Sequence, residues 1–404
     1  MKTITLSDIQ TAQKTLSQIL QPTPLIKNEW LSATYGCEVY FKLETLQPVG
    51  SFKIRGATYK ISSLSADEKK NGVIAASAGN HAQGVAWGAR FYQTSALIVM
   101  PENAPLTKIS NTQALGAKVH LEGETYQESF LAAQKIAVET GRSYVHAFHD
   151  PFVIAGQGTV GIEIMEQLPD VDYVVSSIGG GGLTAGMGIA LKGLKPSIKL
   201  IACQAENASA MATSLKQHHV VEKSFKNTFA DGIAVKIANP DMFALLEPVV
   251  DEIFTADEEE IAMNVLRFME KGKLVVEGSG AITLGALDRY QKKFSGKKIV
   301  FVVCGGNIDV NLISRIIERG LIHSGRRIHL RVQIMDRPGS LAKLTALIGS
   351  LSANILQATH DRSEYSINLD ETEIELMLET KGPEHSDSVI KALESHCKKV
   401  SVIY

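Results

Sequence analysis

The sequence predicts an α/β protein: two parallel-sheet α/β units, followed by a smaller ferredoxin-like unit. Three observations carry that expectation. Strand-like and helix-like segments alternate from Gly72 to Thr140, the alternation resumes from Tyr173 to Val303, and the pattern changes after about residue 320. The chain has 404 residues, too many for one ordinary core.

The elements follow in order. Ser7 and Gln10 stand at capping-box spacing, with Ile9, Ala12, Leu16, Ile19 and Leu20 on one helical face. Asp8 and Gln10 interrupt any apolar core there, so the start does not read as a signal peptide. Gly72–Ala76, Ala96–Met100 and Lys118–Leu121 read as strands, and Asn80–Tyr92, Leu106–Leu115 and Tyr126–Thr140 as helices. Tyr173–Ile178, Lys199–Cys203 and Ile299–Val303 are apolar strands of the buried type. A site is expected in the cleft between the two units. In the tail, His329–Met335 alternates as a strand. Ser340 stands to cap a helix running to about Leu351, with Leu341, Leu344, Leu347 and Ile348 on one face. Ile355–Thr359 and Glu373–Thr380 read as strands, Ser386–Cys397 as a helix and Val400–Tyr404 as a last strand, giving β-α-β-β-α-β.

Composition narrows the class. Hydrophobic residues make up 45% and charged residues 21%, as in ordinary globular proteins. A net charge of -2 gives no electrostatic reason to expect nucleic acid or an anionic membrane. Cys37, Cys203, Cys304 and Cys397 are scattered, which fits a reducing cytoplasm better than a zinc cluster or a disulfide framework. No apolar run reaches membrane-span length.

Four segments carry chemistry. Ser51-Phe52-Lys53-Ile54-Arg55-Gly56-Ala57 sets a lysine among apolar and small residues, where lysine is uncommon unless its stem lies along a surface. Gly179-Gly180-Gly181-Gly182-Leu183 lies between a strand and a helix expected over Thr184–Leu191, where a phosphate cradle or a flexible turn fits. Neither Walker nor dinucleotide spacing is present. Ser77-Ala78-Gly79-Asn80-His81 follows another strand. Ser77 or Asn80 is placed to cap the next helix, or its N–H groups to take a carboxylate. Cys304-Gly305-Gly306-Asn307 ends a third strand, where ligands bind in open α/β sheets, although a buried cysteine often only packs. A lysine, a phosphate cradle and a carboxylate cradle together suit pyridoxal phosphate.

The motifs Thr23-Pro24-Leu25, SFKIRGA at 51–57, SAGNHAQG at 77–84, AGQGT at 155–159, GGGGL at 179–183, VEGSGA at 276–281 and CGGN at 304–307 stand in that order. Together they resemble fold-type II (tryptophan-synthase-β-like) pyridoxal-phosphate enzymes, and within them the threonine dehydratases, or threonine ammonia-lyases, over about residues 5–320. The tail resembles an ACT domain, and one such tail resembles the medium-length form. The resemblance implies a catalytic domain over 1–320 with a smaller subdomain at roughly 45–145, a linker at 321–328 and an ACT regulatory domain at 329–404.

It further implies that Lys53 carries pyridoxal 5'-phosphate in a Schiff base and that Phe52 flanks the ring. Asn80 would bond the ring's 3-oxygen. Gly179, Gly180, Gly181, Gly182 and Leu183 would hold the phosphate, and Cys304 would face the ring nitrogen. Ser77, Gly79, Asn80 and His81 would bind the substrate carboxylate. The implied reaction turns L-threonine into 2-oxobutanoate and ammonia, and L-serine into pyruvate, with the freed Lys53 amine taking the α-proton. That role needs a lowered lysine pKa, which burial supplies. A neutral Cys304 gives the ring nitrogen no counter-charge, which favours elimination.

Serine racemases share the pattern but carry a serine at the position of Ala78, and alanine supplies no acid or base for a second face. Dehydratase is therefore preferred over racemase; the Asn80-His81 pair after Gly79 favours it over β-replacement or threonine synthesis, intact Lys53 and GGGGL argue against a non-enzymatic amino-acid sensor, and serine dehydratase stays as an alternative. Glu206 is present where some relatives bind a divalent cation, but Ala212 stands where a second acid is expected. No divalent metal is expected, while a monovalent cation stays open. In the tail, Asp336, Pro338, Gly339, Ser340 and Leu341 would contact an amino-acid effector, with Asn354 opposing them; the module has a dimerisation role as its alternative. Relatives imply a homo-oligomer, dimer or tetramer.

Overall fold

The computed structural model describes residues 3–361 and 368–403. The chain divides into two compact units, Met1–Ile308 and Asp309–Tyr404. The division falls earlier than the expected boundary at 320. The helix Val310–His323 groups with the C-terminal unit, and the expected linker 321–328 holds the end of that helix and the start of a strand at Arg327. Arg326 N–H donates to the Leu321 carbonyl at 2.8 Å, and Arg327 pairs with Glu318 at 3.5 Å, so the connection is a tight turn.

The first unit holds two sheets. The larger runs Leu25–Lys27, Glu38–Leu43, Lys298–Val303, Tyr173–Ser177, Lys199–Ala205, Glu252–Ala256. Its first pair is antiparallel and every other pair parallel. The smaller runs Lys118–Leu121, Ala96–Met100, Val73–Ala76, Ser143–Tyr144, all parallel. These are the two predicted parallel-sheet units. Buried apolar runs such as Ile299–Val303 form the central strands because both faces are covered by helices. The helices Pro151–Gln167 and Gly182–Leu194 touch through glycines: a Cβ on Gly186 would lie 2.2 Å from the Ile154 carbonyl oxygen.

The first helix is Leu6–Leu16, and its capping box is Thr5 with Asp8, not Ser7 with Gln10. Asp8 N–H donates to Thr5 Oγ1 at 3.3 Å, and Thr5 N–H donates to Asp8 Oδ2 at 2.9 Å. Leu6 is already helical, so Ser7 falls inside the first turn, where it cannot cap.

The C-terminal unit has the predicted β-α-β-β-α-β order: Arg327–Met335, Ser340–Ser350, Asn354–Asp361, Glu371–Glu379, Pro383–His396, Lys399–Val402. Its four strands form one antiparallel sheet, ordered Asn354–Asp361, Glu371–Glu379, Arg327–Met335, Lys399–Val402. Ile328, Leu330, Val332 and Ile334 face its core in strict alternation. Gly339, at φ +85°, precedes the helix expected to start from a Ser340 cap, and Ser340 is its first helical residue. Tyr404 lies outside the described residues. Among the described residues no helix is long and apolar enough to cross a membrane.

Candidate active site

Backbone pairing brings the first and last motifs together. Phe52 N–H donates to the Cys304 carbonyl at 3.0 Å, Gly306 N–H to the Gly50 carbonyl at 2.9 Å, and Ser51 bridges Gly305. Lys53 therefore opens the helix Lys53–Ser62 beside the end of the strand Lys298–Val303. A Cβ on Gly84 would sit 3.0 Å from the Lys53 carbonyl carbon, so the helix Asn80–Phe91 packs directly on the lysine's backbone. The Lys53 ammonium donates to the Ala147 carbonyl at 3.0 Å and lies 5.2 Å from the centre of the Phe52 ring. Burial lowers its pKa to about 8, with Cys304 and Glu277 pulling weakly the other way.

The glycine run forms a built loop. The helix expected from Thr184 starts at Gly182, so its unpaired N–H groups emerge from the glycines themselves. Gly181 has φ +94°, a conformation glycine adopts without strain. A Cβ on Gly180 would lie 2.2 Å from a Phe148 ring carbon, and one on Gly179 2.9 Å from Ile233 Cα. A loop shaped this way at a helix N-terminus fits a phosphate. The Leu183 side chain instead joins the core cluster that includes Cys304, against which Phe52 packs, leaving only its backbone to serve an anion.

Cys304 is buried, and burial pushes its thiol up to about 12, so it is neutral near pH 7. Its Sγ lies 3.7 Å from Ser177 Oγ and 3.5 Å from Ser279 Oγ. Asn80 is held from both ends. Its Nδ2 donates to both Glu277 oxygens at 2.9 Å, and its Oδ1 accepts from Asn307 Nδ2 at 2.7 Å. Burial, then the nearby Asp231, pushes the Glu277 carboxyl up to about 7. Phe52, Lys53, Asn80, the glycine run and Cys304 thus lie around one place in the fold.

At the expected carboxylate site the His81 ring is turned inward. His81 is buried, and its ring nitrogen Nε2 meets the Val145 carbonyl at 2.8 Å. A carbonyl only accepts, so Nε2 carries the proton and Nδ1, which has no partner among the described residues, is a bare acceptor. Burial and the nearby Lys53 lower its pKa to about 3, keeping the ring neutral. An acceptor repels a carboxylate, so of the His81 polar groups only the backbone N–H suits one. The expected Ser77 or Asn80 cap is absent: Gly79 takes the cap position without a side-chain bond, and Ser77 Oγ accepts from Gly79 N–H at 3.1 Å. The first-turn donors stay free of any capping side chain.

Within one chain of the C-terminal unit, Asn354 and the Asp336–Leu341 turn lie at opposite ends of the sheet. Asn354 and Arg327 both pair with Glu379, at one end of the sheet, whereas Met335 pairs with Glu371 at the other. The nine-residue strand Arg327–Met335 separates them by about 27 Å. Asn354 Nδ2 donates to Glu379 Oε2 at 3.2 Å.

Glu277, Ser279, Ser177, Phe148 and Asn307 carried no assigned role in the sequence, although Asn307 lies in the CGGN segment and Glu277 and Ser279 in VEGSGA. Glu277 had a visible signal: one acid in the otherwise small and apolar Val276–Ala281 run. Ser177 and Phe148 had none, because only the fold brings them to Cys304 and Gly180.

The family model described as pyridoxal-phosphate dependent enzyme matches residues 16–305. An L-threonine ammonia-lyase of Thermotoga maritima is 46% identical over 99% of this chain and 100% of its own. The processed threonine deaminase isoform 2 of Solanum lycopersicum superposes with a TM-score of 0.74 at 36% identity, covering 78% of this chain and 92% of that one. Maize serine racemase superposes with a TM-score of 0.74 at 30% identity, over 80% and 99%. With a half-buried, depressed lysine, an anion-shaped glycine loop and a neutral thiol in one place, the chain belongs to the pyridoxal-phosphate dependent enzyme family.

Proposed function

We propose that this chain is a threonine ammonia-lyase, converting L-threonine to 2-oxobutanoate and ammonia and accepting L-serine more broadly. The observation that carries the proposal is Lys53: a lysine depressed to about 8, beside the neutral thiol of Cys304. The full-length likeness to L-threonine ammonia-lyases supports the substrate.

When bound, pyridoxal phosphate supplies an electrophilic carbon for the substrate amine and a sink for the electrons of the α-carbon. Lys53 holds it and then takes the α-proton as a free amine. The lowered pKa leaves a usable fraction of that amine unprotonated near neutral pH. The glycine run holds the phosphate, and the Asn80–Phe91 helix N-terminus with the Ser77 hydroxyl holds the substrate carboxylate. Ala78 offers no acid on the opposite face, which favours deamination over racemisation. The C-terminal unit acts as an ACT-type regulatory module in a homo-oligomer, and the Asp336–Leu341 turn reaches Asn354 only across two copies.

The test is product analysis with L-threonine and L-serine, for wild type and Lys53→Ala. Lysine-dependent 2-oxobutanoate and pyruvate support the proposal. Lysine-dependent D-serine without keto acid would replace it with a racemase.

A further inference from the structure

One buried acid in this site has no role in the reaction outlined above. Glu277 is 3% exposed and lies at the centre of a continuous hydrogen-bond chain. Asn307 donates to Asn80, Asn80 donates to Glu277, the Ser279 hydroxyl bonds Glu277, and Ser279 meets the Cys304 thiol at 3.5 Å. The chain therefore joins the group assigned to the ring's 3-oxygen with the group assigned to its nitrogen.

We propose that Glu277 is a positioning residue for the cofactor ring, setting the direction of the hydrogen bonds that Asn80 and Cys304 present to it. The proposal rests on the assignment of Asn80 and Cys304 above. An ionised Glu277 only accepts. Ser279 must then donate to it and accept from the thiol, which turns the sulfur's lone pairs toward the ring. A protonated Glu277 has a proton to give. Ser279 Oγ accepts a hydrogen bond from it, the Ser279 O–H turns to donate to the sulfur, and the S–H is freed to donate elsewhere. Asn80 cannot respond by flipping, because Asn307 fixes its oxygen. The charged and titratable groups facing Glu277 are Asp231 and Lys108, which pair at 2.5 Å, with Lys53 and Cys304. Burial places the Glu277 transition near pH 7, where it can be read.

The test is the visible absorption of the full chain loaded with pyridoxal phosphate, titrated across neutral pH. Wild type is expected to show a spectral transition near pH 7, and Glu277→Gln to lose it while keeping the band. Ser279→Ala, which cuts only the thiol branch, is expected to keep the midpoint and lower the amplitude, and it serves if Glu277→Gln does not fold. A wild-type band that is flat across neutral pH overturns the proposal, as does a Glu277→Gln or Ser279→Ala titration that superimposes on wild type. Asn80→Ala and Cys304→Ala separate the two levels. If they shift the band but Glu277→Gln does not, only the role of Glu277 falls. If neither shifts it, the site assignment itself falls.

Discussion

Lys53 and Arg55 are cations two residues apart on one helix, and the fold treats them in opposite ways. Arg55 is 1% exposed and meets two carboxylates in bidentate fashion, Glu44 at 2.7 and 2.8 Å and Glu163 at 2.6 and 2.8 Å. Lys42 adds a second cation on Glu163 at 2.5 Å, so two cations face two carboxylates. Burial works against the Arg55 charge, but Glu44 and Glu163 more than offset it and raise its pKa above the ordinary value. Among the described residues Lys53 has only a carbonyl within hydrogen-bond reach, and burial wins. Burial lowers the pKa of Lys42 as well, although Glu163 answers it, so a lowered pKa alone does not mark the reactive lysine; Lys53 differs in having its amine held only by a backbone carbonyl among the described residues. The Arg55 knot also explains motifs that never touch the site. Thr23 bonds Glu44 at 2.6 Å, Thr159 accepts from Arg55 at 3.1 Å, and Gln157 accepts from Gly56 N–H at 3.2 Å.

This contrast can be broken at either end. The largest effect is expected at Lys53: Lys53→Ala should lower threonine deamination by at least about 10³-fold through loss of the base. A tenfold loss or less in steady-state rate would move the chemistry elsewhere. Arg55→Met should cost about 3–5 kcal/mol in urea unfolding, because among the described residues it leaves buried Glu44 with no paired cation and Glu163 with Lys42 alone. A cost below about 1 kcal/mol would mean that water already reaches the knot. Gly180→Ala forces a methyl into Phe148 and should weaken pyridoxal-phosphate binding about tenfold to a hundredfold, read by cofactor titration.

Two finer effects sharpen the comparison. A lysine with a depressed pKa binds fewer protons folded than unfolded between about 8 and 10.5. Stability should thus rise with pH across that window relative to Lys53→Met, whose difference curve isolates the one group. A flat difference curve would place the ammonium in contact with water. Cys304→Asp gives the ring nitrogen a counter-charge and should shift products away from elimination. An unchanged product ratio would remove the thiol from the account of reaction choice.

The parallel units and the C-terminal βαββαβ order were legible because long buried strands are continuous apolar runs and the tail alternates cleanly. Leu25–Lys27, Ser143–Tyr144 and Glu252–Ala256 were not, being short or carrying polar residues. Glu38–Leu43 carries Lys42, a buried lysine answered by Glu163 from 121 residues away, with the Thr23 carbonyl and Gln167 as further acceptors. Of the residues that the fold brings together, Lys53, Asn80, the glycine run and Cys304 stood out in the sequence as unusual residues at strand and helix ends, and the role expected of each came from the resemblance. Its supporting layer was not. Glu277 and Ser279 acquire meaning only when the fold sets them against Asn80 and Cys304, and the neutrality of His81 follows from a backbone carbonyl 64 residues away.

The most direct measurement is covalent trapping. The full chain would be loaded with pyridoxal phosphate, reduced with borohydride, digested and mapped by mass spectrometry. The account predicts a single phosphopyridoxyl group on Lys53, and none there when L-threonine is added in excess before reduction. A group on another lysine, or none on Lys53 in loaded protein without substrate, would contradict it.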